Sequence, residues 1–415
     1  MESTSQECLL IPQERLEKRN KSGRVALPRY VPCAFLWQAF RRMVQIAIIG
    51  GGIGGLTAAL ALQQSGFQAE VFEQAPVLLD VGAAIAMWPN AMRVLEHLRV
   101  GEKILEYGGV VAELRWMDQN GFLLNRVRIS DGKTPAVALH RSDLQRTLRH
   151  ALPPSSIHLG HTLVNYEQRG DQMIATFANG NSLEADFMIG ADGVHSRVRS
   201  QFINDGDPID RGYTIWRGTS PVTPAEIPPA TGIELYGRGK RFGIGPVGLG
   251  RTGWWASANT DQTDQLTDLF AGWYRPVVQL IEATPPSSIL KTIATDRESN
   301  KRWGVGRMTL LGDAIHPTTP NLGQGGCLSI EDALVLARCF EKYGASEDAL
   351  RNYERLRHRR TATLTRTSRY YGKVGQFENI WARALRRTFL SLAPEPLAQR
   401  MMQTVFDYDA AKIRT

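Results

Sequence analysis

Cysteine is scarce in this chain, with four thiols, Cys8, Cys33, Cys327 and Cys339, among 415 residues. No two form a C-x-x-C pair, none sits at metal-ligand spacing, and no H-E-x-x-H pattern occurs. A disulfide framework and a structural or catalytic zinc are therefore excluded, no metal is expected, and a reducing cytoplasm is the compartment that fits. Long apolar runs are missing too: "LLIP", "IAII" and "FMIG" fall far short of the roughly 20 residues a membrane-spanning helix needs. No internal repeat or low-complexity stretch stands out. What remains, 43% hydrophobic and 22% charged residues, is the composition of a soluble globular chain large enough for two domains.

Charge is unevenly placed. The net +8 gathers at the ends, with eight Lys/Arg against four Glu in residues 1–42 and eleven against two acids in residues 351–390. Such ends could meet an anionic membrane or nucleic acid, but a solvated helix face is the simpler reading, and no nucleic-acid partner is expected. The first 42 residues lack the apolar core of a secretory signal, and their glutamates argue against a mitochondrial transit peptide. The fold is expected to begin at Met43, with residues 1–42 an extension outside it.

"VQIAIIGGG" has the pattern of a short buried parallel strand, "IGGLTAALALQQSG" of a helix ended by Gly66, and "FQAEVFEQ" of a second strand. Together they make one βαβ unit, with Gly50-x-Gly52-x-x-Gly55 in its turn and Glu73 closing the second strand. Glycines there allow a tight turn and let backbone N–H groups and a helix N-terminus approach a pyrophosphate, while a carboxylate can accept from ribose hydroxyls. A dinucleotide site follows, but NAD and FAD are not separated by this motif alone. Further on, "HTLVNYEQRGDQMIATFANGNSLEADFMIGADG" alternates like strands turned at Arg169-Gly170 and Asn179-Gly180. Residues 212–259 are β-rich and aromatic and predict a separate antiparallel sheet. Residues 267–284, 328–345 and 350–390 look helical.

"IGADGVHSRVR" (189–199) and "GRMTLLGDAIHPTTPNLGQGGCLSIEDALVLA" (306–337) follow the first motif in order. With all three, the chain resembles the single-component FAD-dependent aromatic-hydroxylase-type monooxygenases from Met43 to about residue 370. The "GQGGC" form, with Cys327 where many members have Asn, is more similar to the zeaxanthin-epoxidase-like and purine-hydroxylating branches.

The resemblance implies an α/β fold: a Rossmann-like FAD-binding domain (43–110, 136–210 and 296–350), an inserted antiparallel β-sheet substrate domain (111–135 and 211–295) and C-terminal helices (351–415). It further implies that Gly50, Gly52, Gly54, Gly55, Glu73 and Gln74 hold the AMP and pyrophosphate half of FAD, that backbone near Leu163 flanks adenine, and that Arg141 meets the pyrophosphate or ribityl region. Asp192 with Gly193 would link the flavin and nicotinamide sites. Asp313 would bind the ribityl chain, and Gly323, Gln324, Gly325, Gly326 and Cys327, with Ala86, would lie against the isoalloxazine ring beside Pro317. Cys327 itself reads as a small packing residue, His316 as a loop histidine satisfied by backbone.

The β-rich segment should roof the reacting face, where Trp216, Arg217 and Arg241 are the candidates for orienting a planar anion. The implied activity consumes NADPH or NADH, bound transiently, and O₂, delivering one oxygen atom through a C4a-hydroperoxyflavin. An aromatic or heteroaromatic substrate comes first; the alternatives are an isoprenoid alkene taken to its epoxide, or a non-oxygenating reductase on the same fold. In "ENIWARALRRTFL", Ile380, Trp381, Ala384 and Leu385 share one helical face. Packing on the catalytic domain is its first reading and peripheral membrane contact its second. Oligomeric state is not legible.

Overall fold

The computed structural model describes residues 44–77, 82–129, 134–259 and 265–413, so the expected extension 1–42 lies outside the described residues. Its centre is a six-stranded sheet in the order 304–305, Met308–Leu310, Phe187–Gly190, Gln45–Ile49, Gln68–Phe72, Ile157–His158. All neighbours run parallel except the edge pair 304–305 with 308–309. "QIAII" and "FMIG" are almost wholly buried, as strands covered on both faces must be.

Helix Ile53–Gln64 packs on helix Gly325–Tyr343. Its run of small and apolar residues from Leu56 to Leu62 is buried without interruption, and the chain leaves it through Gly66 at φ +85°. Strands Leu163–Arg169, Gln172–Phe177 and Ser182–Ala185 form the expected meander, with Gly170 and Gly180 at positive φ in its turns.

A seven-stranded sheet carries the aromatic segment, in the order Leu290–Asp296, Ile209–Ser220, Thr252–Ala258, Lys240–Pro246, Thr231–Tyr236, Glu113–Asp118, Leu123–Arg128. It is not purely antiparallel: Thr231–Tyr236 pairs in parallel with Glu113–Asp118. Those strands come from distant parts of the chain, so no tight hairpin dictates their direction.

Two helical expectations are corrected. Residues 267–284 are not one helix, because Gly272 at φ +74° separates Leu266–Leu269 from Arg275–Glu282, which begins with Pro276 in its first turn. Residues 350–390 divide likewise into Glu347–Gly375 and Ile380–Leu392, the second capped by Asn379 Oδ1 accepting from the N–H groups of Trp381 and Ala382. A third correction concerns orientation. Ile380, Trp381 and Leu385 do not pack on the domain: they are exposed, and Arg386 takes the inward position.

Candidate active site

Four strands of the parallel sheet end side by side, and each end carries a residue singled out in the sequence. Gly50 N–H donates to the Phe72 carbonyl, Ala191 N–H to Ile49, and Leu311 N–H to Gly190. Glu73, the Gly50–Gly55 loop, Asp192 and Asp313 therefore line one carboxyl edge in that order. Three strand intervals separate Glu73 from Asp313, roughly 15 Å, a span that an extended dinucleotide bridges.

The glycines serve different ends. A Cβ on Gly55 would lie 1.9 Å from the Gly50 carbonyl oxygen, and Gly50, at φ +110°, would meet Ala191, so both are required by packing. Gly52 faces open space, and the helix behind it has no side-chain cap. Gly54 lies on Leu311 and Ser329, which seats this turn on the second motif. Glu73 braces the loop, Oε2 accepting from Gly51 N–H at 2.6 Å and Oε1 from Ala75 N–H at 2.9 Å. Gln74 is exposed beside it, and Arg141, also exposed, lies over Gly82.

Leu163 is buried, and its carbonyl accepts from Arg197 Nη1 at 2.9 Å. Asp192 uses both carboxylate oxygens within its own turn, accepting from the Ser196 hydroxyl and from the N–H groups of Arg197 and Val198.

The second motif turns at Gly312 (φ +63°) and Gly323 (φ +61°), where added side chains would strike Ser329 and Trp88 Nε1. Helix Gly325–Tyr343 starts without a side-chain cap and without an acid in its first turn, leaving its amide dipoles open. Asp313 sits at that start, Oδ1 3.7 Å from where a Cβ on Gly325 would be. The carboxylate reaches solvent, yet protein surrounds it so closely that burial raises its pKa, and it accepts no hydrogen bond from any described residue. An acceptor in that position is open to a ligand's donors. Two donors nearby, Trp88 Nε1 and Gln324 Nε2, are buried without partners. Pro317 is buried in the same loop. Cys327 Sγ donates to the Ala86 carbonyl at 3.4 Å, and burial pushes its thiol up to about 12, so it is a neutral packing group.

Behind the loop lies a network that the sequence did not announce. Asp332 Oδ2 accepts from Gly312 N–H at 3.1 Å and from His316 Nε2 at 2.6 Å, and its Oδ1 accepts from Arg357 Nε at 2.6 Å. Arg357 continues to Glu331, which also receives Arg360 and Asn90. Burial opposes ionisation of Asp332, but His316 and Arg357 outweigh it and hold its pKa below the ordinary value. An ionised carboxylate only accepts, so His316 carries its proton on Nε2. His316 is thus paired with a buried acid, not with backbone. The available signal was two adjacent acids inside the apolar run "LSIEDALVLA".

On the seven-stranded sheet the two-residue period decides who reaches the cleft. Trp216 is corrected out of the site: it shares a buried cluster with Phe242 and Trp254, while its neighbour Arg217 pairs with Trp255 on the opposite face. Arg217 donates to Thr292 Oγ1 at 2.8 Å, and burial and then the charge of Arg141 lower its pKa, so two guanidiniums converge here. Neither forms an ion pair within 4 Å of a carboxylate among the described residues, although the charge of Arg141 acts on Asp313. Arg241 lies on the same face but is sealed, 1% exposed, between Trp255 and Tyr371. Its Nη1 donates to Glu234 and its Nη2 to Asn321, just ahead of the glycine turn. The expectation that it grips substrate directly is corrected, since its terminal nitrogens are already engaged; it ties the sheet to the second motif. Glu234, Tyr371 and Asn321 complete that tie, and nothing in their spacing marked them.

A glycine turn before a helix, an open helix start, an acid without a protein donor and a facing sheet make an edge suited to an extended dinucleotide. The chain belongs to the FAD binding domain family, whose pattern matches residues 43–368. It is 37% identical over 349 residues to the aurachin C monooxygenase/isomerase of Stigmatella aurantiaca, covering 81% of this chain and 91% of that one. Against the FAD-dependent urate hydroxylase of Klebsiella pneumoniae identity is 34% over 361 residues, covering 82% and 94%. The crystal structure of Klebsiella pneumoniae HpxO complexed with FAD and uric acid superposes with a TM-score of 0.81 at 29% identity, over 88% of this chain and 96% of that one. This protein is an FAD-dependent monooxygenase of the aromatic-hydroxylase type. Among the described residues no helix is long and apolar enough to cross a membrane, and no cluster of His, Cys, Asp or Glu could hold a metal ion.

Proposed function

We propose that the protein oxidises NADH or NADPH and inserts one atom of O₂ into a planar, anionic aromatic or heteroaromatic substrate. The observation that supports this reading is Arg217, which lies on the sheet face opposite the buried Trp216 cluster, feels the charge of Arg141 and donates only to Thr292 among the described residues. A substrate carboxylate or enolate is oriented by bidentate hydrogen bonds from Arg217, Arg141 being engaged by the pyrophosphate.

Bound FAD supplies the activation of O₂ and the oxygen transfer at its C4a position. The chain's residues hold and orient it. Gly50 to Gly55 and the helix start at Ile53 receive the pyrophosphate with Arg141, Glu73 and Gln74 receive the AMP ribose, and backbone at Leu163 flanks adenine. Asp313 accepts from the ribityl hydroxyls. Gly323 to Cys327 present backbone donors and the positive end of their helix to the ring, where negative charge develops on reduction. Ala86 and Pro317 shape the ring pocket. Asp192, by capping its turn, fixes the Gly193 backbone between flavin and nicotinamide. The nicotinamide donor binds transiently, since one dinucleotide loop serves the chain.

The test is to load purified protein with FAD and follow NADH and NADPH oxidation against a panel of planar aromatic acids, heteroaromatic enolates and isoprenoid alkenes, with product mass. Stimulation by a planar anion, with one oxygen gained, is expected, and Arg217→Ala should raise KM for that anion more than it changes flavin content. Stimulation confined to uncharged alkenes would overturn the substrate class. Oxidation that no compound stimulates would overturn the oxygenase reading.

A further inference from the structure

The solvent side of helix Ile380–Leu392 has no place in the flavin chemistry, and it is unusual for a surface. Placed at about 100° per residue, Ile380, Trp381, Leu385, Phe389 and Leu392 fall in one half of the helix, and only Ala, Thr and Ser fill the gaps. Trp381 is 79% exposed, Leu392 74%, Leu385 71%. No charge interrupts that half. The inward half is held by Arg386, 8% exposed, which donates to the carbonyls of Val374, Gly375 and Gly237 at 3.0, 2.6 and 3.0 Å. The helix is therefore fixed to the domain with its apolar side turned out, the reverse of an ordinary amphipathic surface helix. Arg387 lies at the rim over Phe122, itself 63% exposed, which widens the patch beyond the helix.

Charge selects the occupant. The helix contains three arginines and no acid, Arg386 being turned inward, and on the helix before it Arg355, Arg359, Arg366 and Lys373 are exposed, whereas Arg357, Arg360 and Arg369 are already paired with acids. A second copy packed on this face across a two-fold axis would bring two such segments together, which repels them. An anionic lipid surface is complementary to the same charges. We propose that this face seats the protein on a membrane bearing anionic lipid, the helix lying in the interfacial plane with Trp381 at headgroup depth and Arg387, at the rim of the apolar half, toward the phosphates. The proposal stands apart from the substrate reading, because it needs only the exposed helix.

The experiment uses the full-length, FAD-loaded protein with phosphatidylcholine vesicles, alone or containing about one third phosphatidylglycerol. Sedimentation with the anionic vesicles and not with the neutral ones is expected, falling in high salt. Leu385→Ser with Phe389→Ser should lower the bound fraction on the order of tenfold or more, with flavin content and melting temperature unchanged because both side chains are already solvated. Wild-type protein left in the supernatant with anionic vesicles overturns the proposal, as does undiminished binding by the double variant. A solution dimer by light scattering that the double variant converts to monomer would assign the face to a second copy and overturn it equally.

Discussion

Two regions that share one loop treat their acids in opposite ways. At the cleft, Asp313 accepts nothing from the described protein, and burial raises its pKa. Behind the loop, two turns into the helix that Gly325 opens, Asp332 accepts from a backbone amide, a histidine and an arginine, which hold its pKa below the ordinary value. A carboxylate satisfied on every side serves the fold, whereas one crowded by protein that offers it no donor is left for a ligand's donors. The difference separates structure from function without reference to any relative.

Substitution at the satisfied end should give the largest effect. Asp332→Ala leaves Arg357 with Glu331 as its one acid and deprives Gly312 N–H and His316 of their acceptor, and the cost of breaking such a buried pair is about 3 to 5 kcal/mol. Urea unfolding should show the loss with FAD present or absent. A loss below about 1 kcal/mol, the range of surface ion pairs, would mean that the network contributes little and that the contrast is false.

Asp313→Ala should do the reverse. Flavin affinity should fall by roughly 1 to 3 kcal/mol, as for a charge-assisted contact, while the FAD-free protein loses no stability. The pH dependence sharpens this. Because the folded pKa of Asp313 lies above 3.8, the folded chain holds that proton more tightly than the unfolded chain does. Its contribution is most favourable below pH 3.8 and is lost as pH rises through the raised value. Asp332, with a folded pKa below 3.8, contributes above that pH and loses its contribution as pH falls through the lowered value. FAD-free Asp313→Asn should therefore exceed wild type in stability at neutral pH and converge with it in acid. An Asp313 variant that is less stable than wild type at neutral pH would place a hidden partner on that carboxylate.

What the sequence revealed follows the same division. Short-range requirements were legible: strand, glycine turn and helix around Gly50 to Gly55, the positive-φ turns at Gly170 and Gly180, and the helix opened by Gly325. Each is dictated by a few neighbouring residues. Long-range choices were not. Whether Trp216 or Arg217 faces the cleft depends on which side of the sheet the helices cover, and alternation alone gives two equal answers. The Ile380–Leu392 face misled for a related reason, because a hydrophobic stripe shows that a helix has two sides but not which one is turned inward. Partners such as Asn321 for Arg241, or Arg357 for Asp332, lie far away in sequence and leave no local mark.

Arg241 follows the two acids in expected effect. As a tie from the sheet to Asn321, its loss should misplace the substrate roof relative to the ring without touching either directly. Arg241→Ala should lower substrate-stimulated NAD(P)H oxidation on the order of 10- to 100-fold, the scale of a displacement of about 1 Å, while flavin content holds. Asn321→Ala should reproduce most of that loss, and the double variant should add little to either. Additive effects would separate the two residues and return Arg241 to direct contact with substrate.

Cys327 gives the smallest effect and the most direct reading of the cleft floor. With its thiol pushed up to about 12 and donating to Ala86, it should resist iodoacetamide at neutral pH in the folded protein, and peptide mass mapping would detect any label. Cys327→Ser keeps a donor in nearly the same volume, so a change within about 1 kcal/mol in stability is expected, with FAD retained. Rapid alkylation of Cys327 would reveal a thiolate that no burial argument permits. It would also move this residue from packing behind the glycine turn to chemistry.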